Sequence, residues 1–206
     1  MRLREPGWLA VAVVVACAVL GITPAADRFT WLLENLPVII LLPVLVAMHR
    51  SRPLTPLLCR LLALHALILM VGGHWTYAEV PAGDWVRDWL GLARNPYDRL
   101  GHLAQGFVPA ILMRELCLRR GLVLRGLFGG TLLVLAALGF SAFYELVEWQ
   151  AAVWTGAAAD DFLGTQGDPW DTQWDMACCG IGATLSLLLL SRLHDRQAEA
   201  ISAHPR

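Results

Sequence analysis

The sequence contains no lysine, and charged residues make up only 16% of its 206 positions. Typical globular domains have about 25% charged residues. The shortage excludes a soluble enzyme with a polar surface, a disordered tail and a protein that binds nucleic acid through clustered basic charge. Hydrophobic residues make up 57% of the chain. This composition predicts a polytopic membrane protein, with membrane lipids as its surroundings and no nucleic-acid partner.

The apolar residues form long runs without the period-two alternation of β-strands. A helix needs about 20 mostly apolar residues to cross the hydrocarbon core of a bilayer. Six runs reach or approach that length, and they predict an all-α bundle of six transmembrane helices in a single integral membrane domain, residues 1–206. The predicted spans are residues 8–22, 31–48, 54–71, 97–117, 122–144 and 172–191. Because Arg2 and Arg4 precede the first run, a cleaved signal peptide is the alternative for that segment.

Arginine is unevenly distributed over the connections between these spans. All 16 basic residues are arginine, and most of them fall on one side of the six-span arrangement. Those on the other side are Arg28, Arg87, Arg94 and Arg99. Arginine-rich connections stay in the cytoplasm, so both termini are predicted to be cytoplasmic. Most acidic residues lie on the opposite, outer side, which is therefore strongly negative.

Two local patterns indicate how the helices are arranged. The long outer connection before the fourth span is rich in tryptophan, and aromatic rings favour the headgroup level of a membrane. A short interfacial helix is therefore predicted over residues 84–92. In the sixth span, Gly180, Gly182 and Ala183 form a small face that allows close packing against another helix.

Polar side chains cluster at the outer ends of the last three spans. Asp98 and His102 are four residues apart and Gln105 follows three residues later, so all three lie on one helical face. Counting about 20 residues along each span places further acids at the same depth. These are Glu145 and Glu148 in the fifth span and Asp171 and Asp175 in the sixth. Ionisable groups within a membrane are costly and mark function, so one shared outward-facing site is predicted.

The connection before the sixth span, residues 160–171, carries four acidic residues and no basic residue. Asp168 followed by Pro169 is typical of a helix N-cap with proline in the first turn. Gln166 and Gln173 flank this cap. We expect the polar groups of this connection to support the site.

So many carboxylates need compensation, and Arg99 is the only basic residue expected beside them. A divalent cation would supply the missing charge, because oxygen ligands with one imidazole suit Mg²⁺, Mn²⁺, Ca²⁺ or, less well, Zn²⁺. The predicted ligands are His102, Glu145, Glu148, Asp171 and Asp175. The predicted catalytic groups are His102, Glu145 and Asp175. The predicted supporting residues are Asp98, Gln105, Gln166, Asp168 and Gln173.

Each predicted site residue also has a purely structural interpretation. His102 would be satisfied by a hydrogen bond to Glu145 or Asp175 without any ion. Glutamates at the outer end of a helix can simply be solvated, and Asp171 would stabilise the positive N-terminus of the sixth helix. The sequence leaves these alternatives open.

Four segments carry a resemblance to a known family. They are YDRLGH at residues 97–102, QGF at 105–107, YELVEW at 144–149 and FLGTQGDPWDTQWDM at 162–176. Together they resemble the YjdF-type bacterial inner-membrane proteins. The resemblance covers most of the chain and implies a six-span inner-membrane protein, without implying a particular activity. A fainter resemblance is to the VanZ-like membrane proteins, which would imply a link to envelope lipids or glycopeptides by analogy.

Three classes of function fit these features. An enzyme would use a cation at the acidic site to position a phosphate or activate water on an envelope lipid or lipid-linked substrate. A cation transporter or channel would need polar groups along its whole length, whereas the inner halves of the spans are apolar apart from their arginine flanks. A non-catalytic subunit would bind a membrane partner or a second copy through the tryptophan-rich connection. Whether a pocket closes beneath the acids or continues to the inner face distinguishes these classes.

Overall fold

The computed structural model describes residues 5–26, 28–122, 126–155 and 165–202. Within these ranges the chain forms helices and no strand, so the all-α prediction is confirmed. The α-helices are α1 Glu5–Ile22, α2 Arg28–Ser51, α3 Pro56–Trp75, α4 Pro81–Leu90, α5 Tyr97–Arg119, α6 Gly126–Thr155 and α7 Asp171–Ser202. A short 3₁₀ turn, Tyr77–Glu79, lies between α3 and α4.

Four of the helices are long and apolar enough to cross a membrane, namely α2, α3, α6 and α7. The chain is therefore a multi-pass membrane protein. The apolar part of α1, Pro6–Ile22, is shorter. Helix α5 has 23 residues but falls outside this group because it carries buried polar and charged side chains along its length.

Two helices extend well beyond their predicted spans. Helix α6 continues to Thr155, beyond the predicted minimum at residue 144 and next to the alternative end at Trp154, and α7 continues to Ser202 rather than residue 191. Glu145 and Glu148 consequently lie within α6, about three and two turns before its end, rather than at its boundary. Bilayer thickness sets the length of the apolar run that crosses the membrane. It does not set the end of the helix, because the hydrogen-bonded backbone continues beyond that run.

Helix α5 is the central element of the bundle. It packs against α3, α6 and α7, and its contact with α7 is the most extensive in the structure. The backbones of α5 and α7 approach closely at two glycines. A Cβ on Gly106 would collide with the carbonyl oxygen of Cys179, and one on Gly182 would collide with that of Leu103. Within the predicted small face of α7, Gly182 and Ala183 therefore contact α5, whereas Gly180 lies against Leu138 of α6.

The remaining helices flank this pair. Helices α1 and α2 pack against α3, while α6 packs against α5 and α7. Contact between α3 and α5 joins the two groups. Helix α4 lies in the predicted interfacial segment and ends at Gly91, whose φ of 65° is readily adopted by glycine. Trp85 and Trp89 project from it and are 74% and 83% exposed.

A buried polar network lies at the end of the bundle opposite the predicted site. The Glu115 carboxylate of α5 accepts hydrogen bonds from the Thr55 hydroxyl at 2.7 Å and from Arg119, and its Oε2 lies 3.2 Å from His194 Nε2. Arg114 pairs with Asp195, with 2.7 Å between Nη2 and Oδ1. The expectation that this end is apolar apart from arginine flanks is wrong. The network links α5, α7 and the start of α3.

Candidate functional site

His102 lies at the centre of a cluster of carboxylates contributed by three helices. Its Nε2 atom is 3.6 Å from Asp98 Oδ1 on the same helix. The same atom is 3.7 Å from Glu145 Oε1 of α6 and 4.0 Å from Asp175 Oδ2 of α7. The imidazole and the Asp98 and Asp175 carboxylates are almost completely buried. The structure thus brings together four of the residues that the sequence places at one depth.

The close packing of α5 and α7 sets the register of this cluster. Gly106 lies against the Cys179 backbone. One helical turn before these two residues come His102 and Asp175, and a further turn back lies Asp98. Because side chains four residues apart share a helical face, the two glycine contacts place the imidazole opposite the carboxylate.

The cluster is not satisfied by its own hydrogen bonds. In the described part of the chain, His102 Nδ1, Glu145 Oε1 and Asp175 Oδ1 are buried without a hydrogen-bond partner. Distances of 3.6–4.0 Å from His102 Nε2 to the carboxylates are too long for hydrogen bonds. A buried polar atom without a partner costs about 1–3 kcal/mol, and more when charged. A polar group or ion in contact with these atoms would therefore stabilise the cluster.

The spacing of the ligand atoms fits a cation. Asp98, His102 and Asp175 each offer one ligand atom, and these atoms lie within 4.8 Å of one another. Metal–ligand distances of about 2.0–2.5 Å separate neighbouring ligand atoms by roughly 3–4 Å. Two carboxylates and one imidazole suit Mn²⁺, Mg²⁺ or Zn²⁺. The fourth group, Glu145, lies at the edge of the same space.

Arg94 is a second basic residue beside the acids, so the expectation that Arg99 stands alone is wrong. Its guanidinium forms a buried ion pair with Asp171 and lies 3.7 Å from a carboxylate oxygen of Asp168 and of Asp98. Arg99 pairs with Asp168 at 2.9 Å and lies over the Trp174 ring. The position of Arg94 four residues before Asp98 is the sequence signal that could have identified it.

The residues before α7 are attached to the α4–α5 connection by paired hydrogen bonds. The Asn95 N–H donates to Gln166 Oε1 at 2.9 Å, and Gln166 Nε2 donates to the Asn95 carbonyl at 3.1 Å. Asp168 Oδ1 accepts from the Trp170 N–H at 2.9 Å, in the manner of the predicted cap, although α7 itself begins at Asp171. Gln173 is exposed. The acidic segment at residues 160–164 lies outside the described residues.

A cleft of about 590 Å³ extends from this cluster along the bundle. Polar residues line its beginning: Glu34, Tyr77, Asp98, His102, Gln105, Tyr144 and Glu148. Its middle is lined by apolar side chains, including Leu41, Leu45, Leu62, Pro109 and Phe140. It reaches His49 and Arg50 at the opposite end. Glu148 and Gln105 therefore face the cleft, whereas Asp171 is engaged by Arg94.

Glu34 is a cleft residue that the site prediction omits. It lies in α2 and is only 3% exposed. The signal was present, because an acid inside the predicted second span is itself unusual. Nearby, burial raises the pKa of the Tyr77 phenol well above its usual range, so this hydroxyl stays neutral.

Comparison with known proteins, like the fold, indicates a membrane protein. The family model described as "Predicted membrane protein (DUF2238)" matches residues 6–196. The chain belongs to this family of membrane proteins. It is 56% identical over 174 residues to the "Inner membrane protein YjdF" of Escherichia coli (strain K12), covering 84% of this chain and 83% of that protein. The predicted resemblance to YjdF-type proteins is confirmed, and neither match is a VanZ-like protein. No solved structure matches this chain.

Proposed function

We propose that this is a six-span protein of the bacterial inner membrane with both termini in the cytoplasm. The name of its Escherichia coli relative supports the location. The length of α1 and α5, together with the four strongly apolar helices, supports six crossings. The arginine bias supports the orientation, which directs the His102 cluster outward.

We further propose that the cluster binds one divalent cation through Asp98, His102 and Asp175. The observation that carries this proposal is the spacing of three carboxylates around His102 Nε2, at 3.6–4.0 Å, with buried atoms that have no other partner. Asp171 is excluded as a ligand because Arg94 engages it. Glu145 is the group left to accept or donate a proton beside the ion, because it is the carboxylate near His102 that is not among the three proposed ligands.

The proposed substrate is an envelope lipid or a lipid-linked molecule. The cleft that begins at the cluster has apolar walls through the middle of the membrane, which suit a hydrocarbon chain. A cation at the polar end would bind a phosphate and polarise it for transfer or hydrolysis.

A cation channel is the competing interpretation, because the cleft continues to the opposite end of the bundle. A conduit for ions needs polar groups or water throughout its length. Apart from His65, the middle of this cleft is lined by leucine, proline and phenylalanine side chains, which offer none. The lining therefore favours a lipid chain over a hydrated ion.

The test is a thermal melt of the purified protein in detergent, with and without chelator. A ligand at about 100 times its dissociation constant stabilises the native state by about 2.7 kcal/mol. For a chain of this length, that corresponds to a rise in Tm of about 5–10 °C. Chelator should remove this rise, and Asp175→Asn should abolish the response to added Mn²⁺.

The matched control is Glu79→Gln, an exposed acid at the same end of the bundle but outside the cluster. It should respond to Mn²⁺ like the wild type. A wild-type melt that chelator and Mn²⁺ leave unchanged would refute the cation proposal. A response that persists in Asp175→Asn would refute the assignment of the ligand.

A further inference from the structure

A second set of polar groups lines the polar end of the cleft beside the His102 cluster. Glu34 comes from α2, Glu148 and Tyr144 come from α6, and Tyr77 comes from the 3₁₀ turn. These four side chains come from three separate segments and converge on the polar end of the cleft. They take no part in the proposed cation site.

Glu34 is held in place but lacks a partner. Gly73 of α3 allows α2 to approach so closely that an added Cβ would lie 2.8 Å from the Glu34 Cβ. In the described ranges, no hydrogen bond or ion pair reaches the Glu34 carboxylate, although its residue is only 3% exposed. Its charged neighbours in the cleft, Asp98 and Glu148, are also acidic.

Two arginines beside the cluster are engaged by other acids. Arg94 pairs with Asp171 and Arg99 pairs with Asp168. A buried carboxyl group is either protonated or paired with a positive charge, so a positive group in the cleft would stabilise the ionised form of Glu34. The positive group must enter through the cleft, since this is the open space that Glu34 lines.

The aromatic side chains indicate which kind of positive group would bind. Tyr144 lines the same part of the cleft as the two glutamates, and so does Tyr77, whose ring is packed against Gly72 and Gly101. Aromatic faces attract organic ammonium groups, and carboxylates beside them add charge. Both glutamates lie at the polar end of the cleft, and the next section of the cleft is apolar. A molecule that fits both parts carries an ammonium group at one end and a hydrocarbon chain at the other.

We propose that Glu34 and Glu148, with Tyr77 and Tyr144, bind the ammonium headgroup of an amine-bearing membrane lipid whose chain lies in the cleft. The inference rests on the lipid substrate of the proposed function, but it does not depend on the cation. A phospholipid with an amine headgroup would place its ammonium group against Glu34 and Glu148. The glutamates thus select the headgroup, and the apolar walls hold the chain.

The experiment compares two lipids with identical oleoyl chains, phosphatidylethanolamine and phosphatidylglycerol, by native mass spectrometry of the purified full chain. Only the first carries an ammonium group. We expect the wild type to retain phosphatidylethanolamine at least about tenfold better, and Glu34→Gln to lose most of this preference. Glu79→Gln is the control and should retain it. If Glu34→Gln does not fold, Glu148→Gln provides the same comparison.

Equal retention of the two lipids by the wild type would overturn the proposal, and so would a full preference in both Glu34→Gln and Glu148→Gln. Asp175→Asn separates this result from the cation proposal. It should lose the response to Mn²⁺ and keep the preference for phosphatidylethanolamine. A lipid preference without any metal response would leave the ammonium site standing and refute only the cation.

Discussion

Arg94 forms a buried ion pair with Asp171, across 77 residues of sequence, and so connects the segment before α5 to the first residue of α7. The two side chains are 9% and 7% exposed. A buried pair of this kind is worth less than its Coulomb attraction, because both charges have lost their hydration. Its main effect is on position, since it fixes the end of α7 that carries Asp175.

Replacing Arg94 by methionine should strongly destabilise the fold. Removing one partner of a buried ion pair leaves the other charge unpaired, at a cost of about 3–5 kcal/mol. The measurement is Tm in detergent. Arg87→Met is the control, because Arg87 forms ion pairs with Asp84 and Asp88 on the exposed helix α4 and its loss should change Tm little. Equal Tm values for the two variants would show that the Arg94 pair does not hold α7.

Enlarging Gly182 should separate α5 from α7. A Cβ at this position meets the Leu103 carbonyl oxygen, which belongs to the backbone and cannot rotate away. Overpacking typically costs about 1–3 kcal/mol, and contact with backbone places this site at or above the upper end. Gly182→Leu should therefore lower Tm and weaken Mn²⁺ binding, because it moves Asp175 away from His102.

Gly130→Leu provides the comparison for that variant. A Cβ on Gly130 of α6 meets nothing within 4 Å, so a leucine there should be tolerated. A Gly182→Leu protein with the Tm and Mn²⁺ affinity of the wild type would contradict the close packing that sets the register of the site.

Thr55 should matter for stability without affecting the His102 cluster. Its hydroxyl donates to Glu115 at 2.7 Å and accepts from the Leu58 N–H at the start of α3. Thr55→Val removes both bonds, and loss of a helix cap alone costs about 0.5–2 kcal/mol. We expect a lower Tm with an unchanged shift on adding Mn²⁺. Thr184→Val, where the exposed hydroxyl bonds only to its own helix, should leave Tm nearly unchanged.

The orientation in the membrane is tested by reporter fusions. Fusions at Arg120 and Arg196 should report a cytoplasmic location, and a fusion at Gly164 should report the outer side, because arginine-rich connections are retained in the cytoplasm. A cytoplasmic signal from the Gly164 fusion would reverse the orientation and turn the His102 cluster inward.

The sequence predicts the parts of this structure that depend on local spacing. The interval between Asp98 and His102 places both on one face of α5, and the long apolar runs define most of the helices. The small residues around Gly182 predict a close helix contact, which the structure has with α5. These features follow from helical periodicity and residue size, which a single segment already contains.

The parts that the sequence does not predict are contacts between distant segments. The charge pattern places Arg94 among the outer arginines, but the residues around it in sequence do not show that it pairs with Asp171 rather than with water or lipid. Glu115 and His194 are in contact although 79 residues separate them in sequence. From the sequence, each is simply a polar residue near the end of its own span. Glu34 likewise reaches the cleft because α2 packs on α3 at Gly73. Charge and periodicity locate such residues along a helix but do not identify their partners.

The central claim is that His102 and its carboxylate neighbours hold one divalent cation. Mn²⁺ added to chelator-treated protein can be followed by pulsed electron paramagnetic resonance, which detects a nitrogen ligand directly. The account predicts one bound Mn²⁺ per chain with a single histidine nitrogen coupling, which disappears in His102→Gln. A protein that binds no Mn²⁺, or that keeps the same nitrogen coupling in His102→Gln, would contradict it.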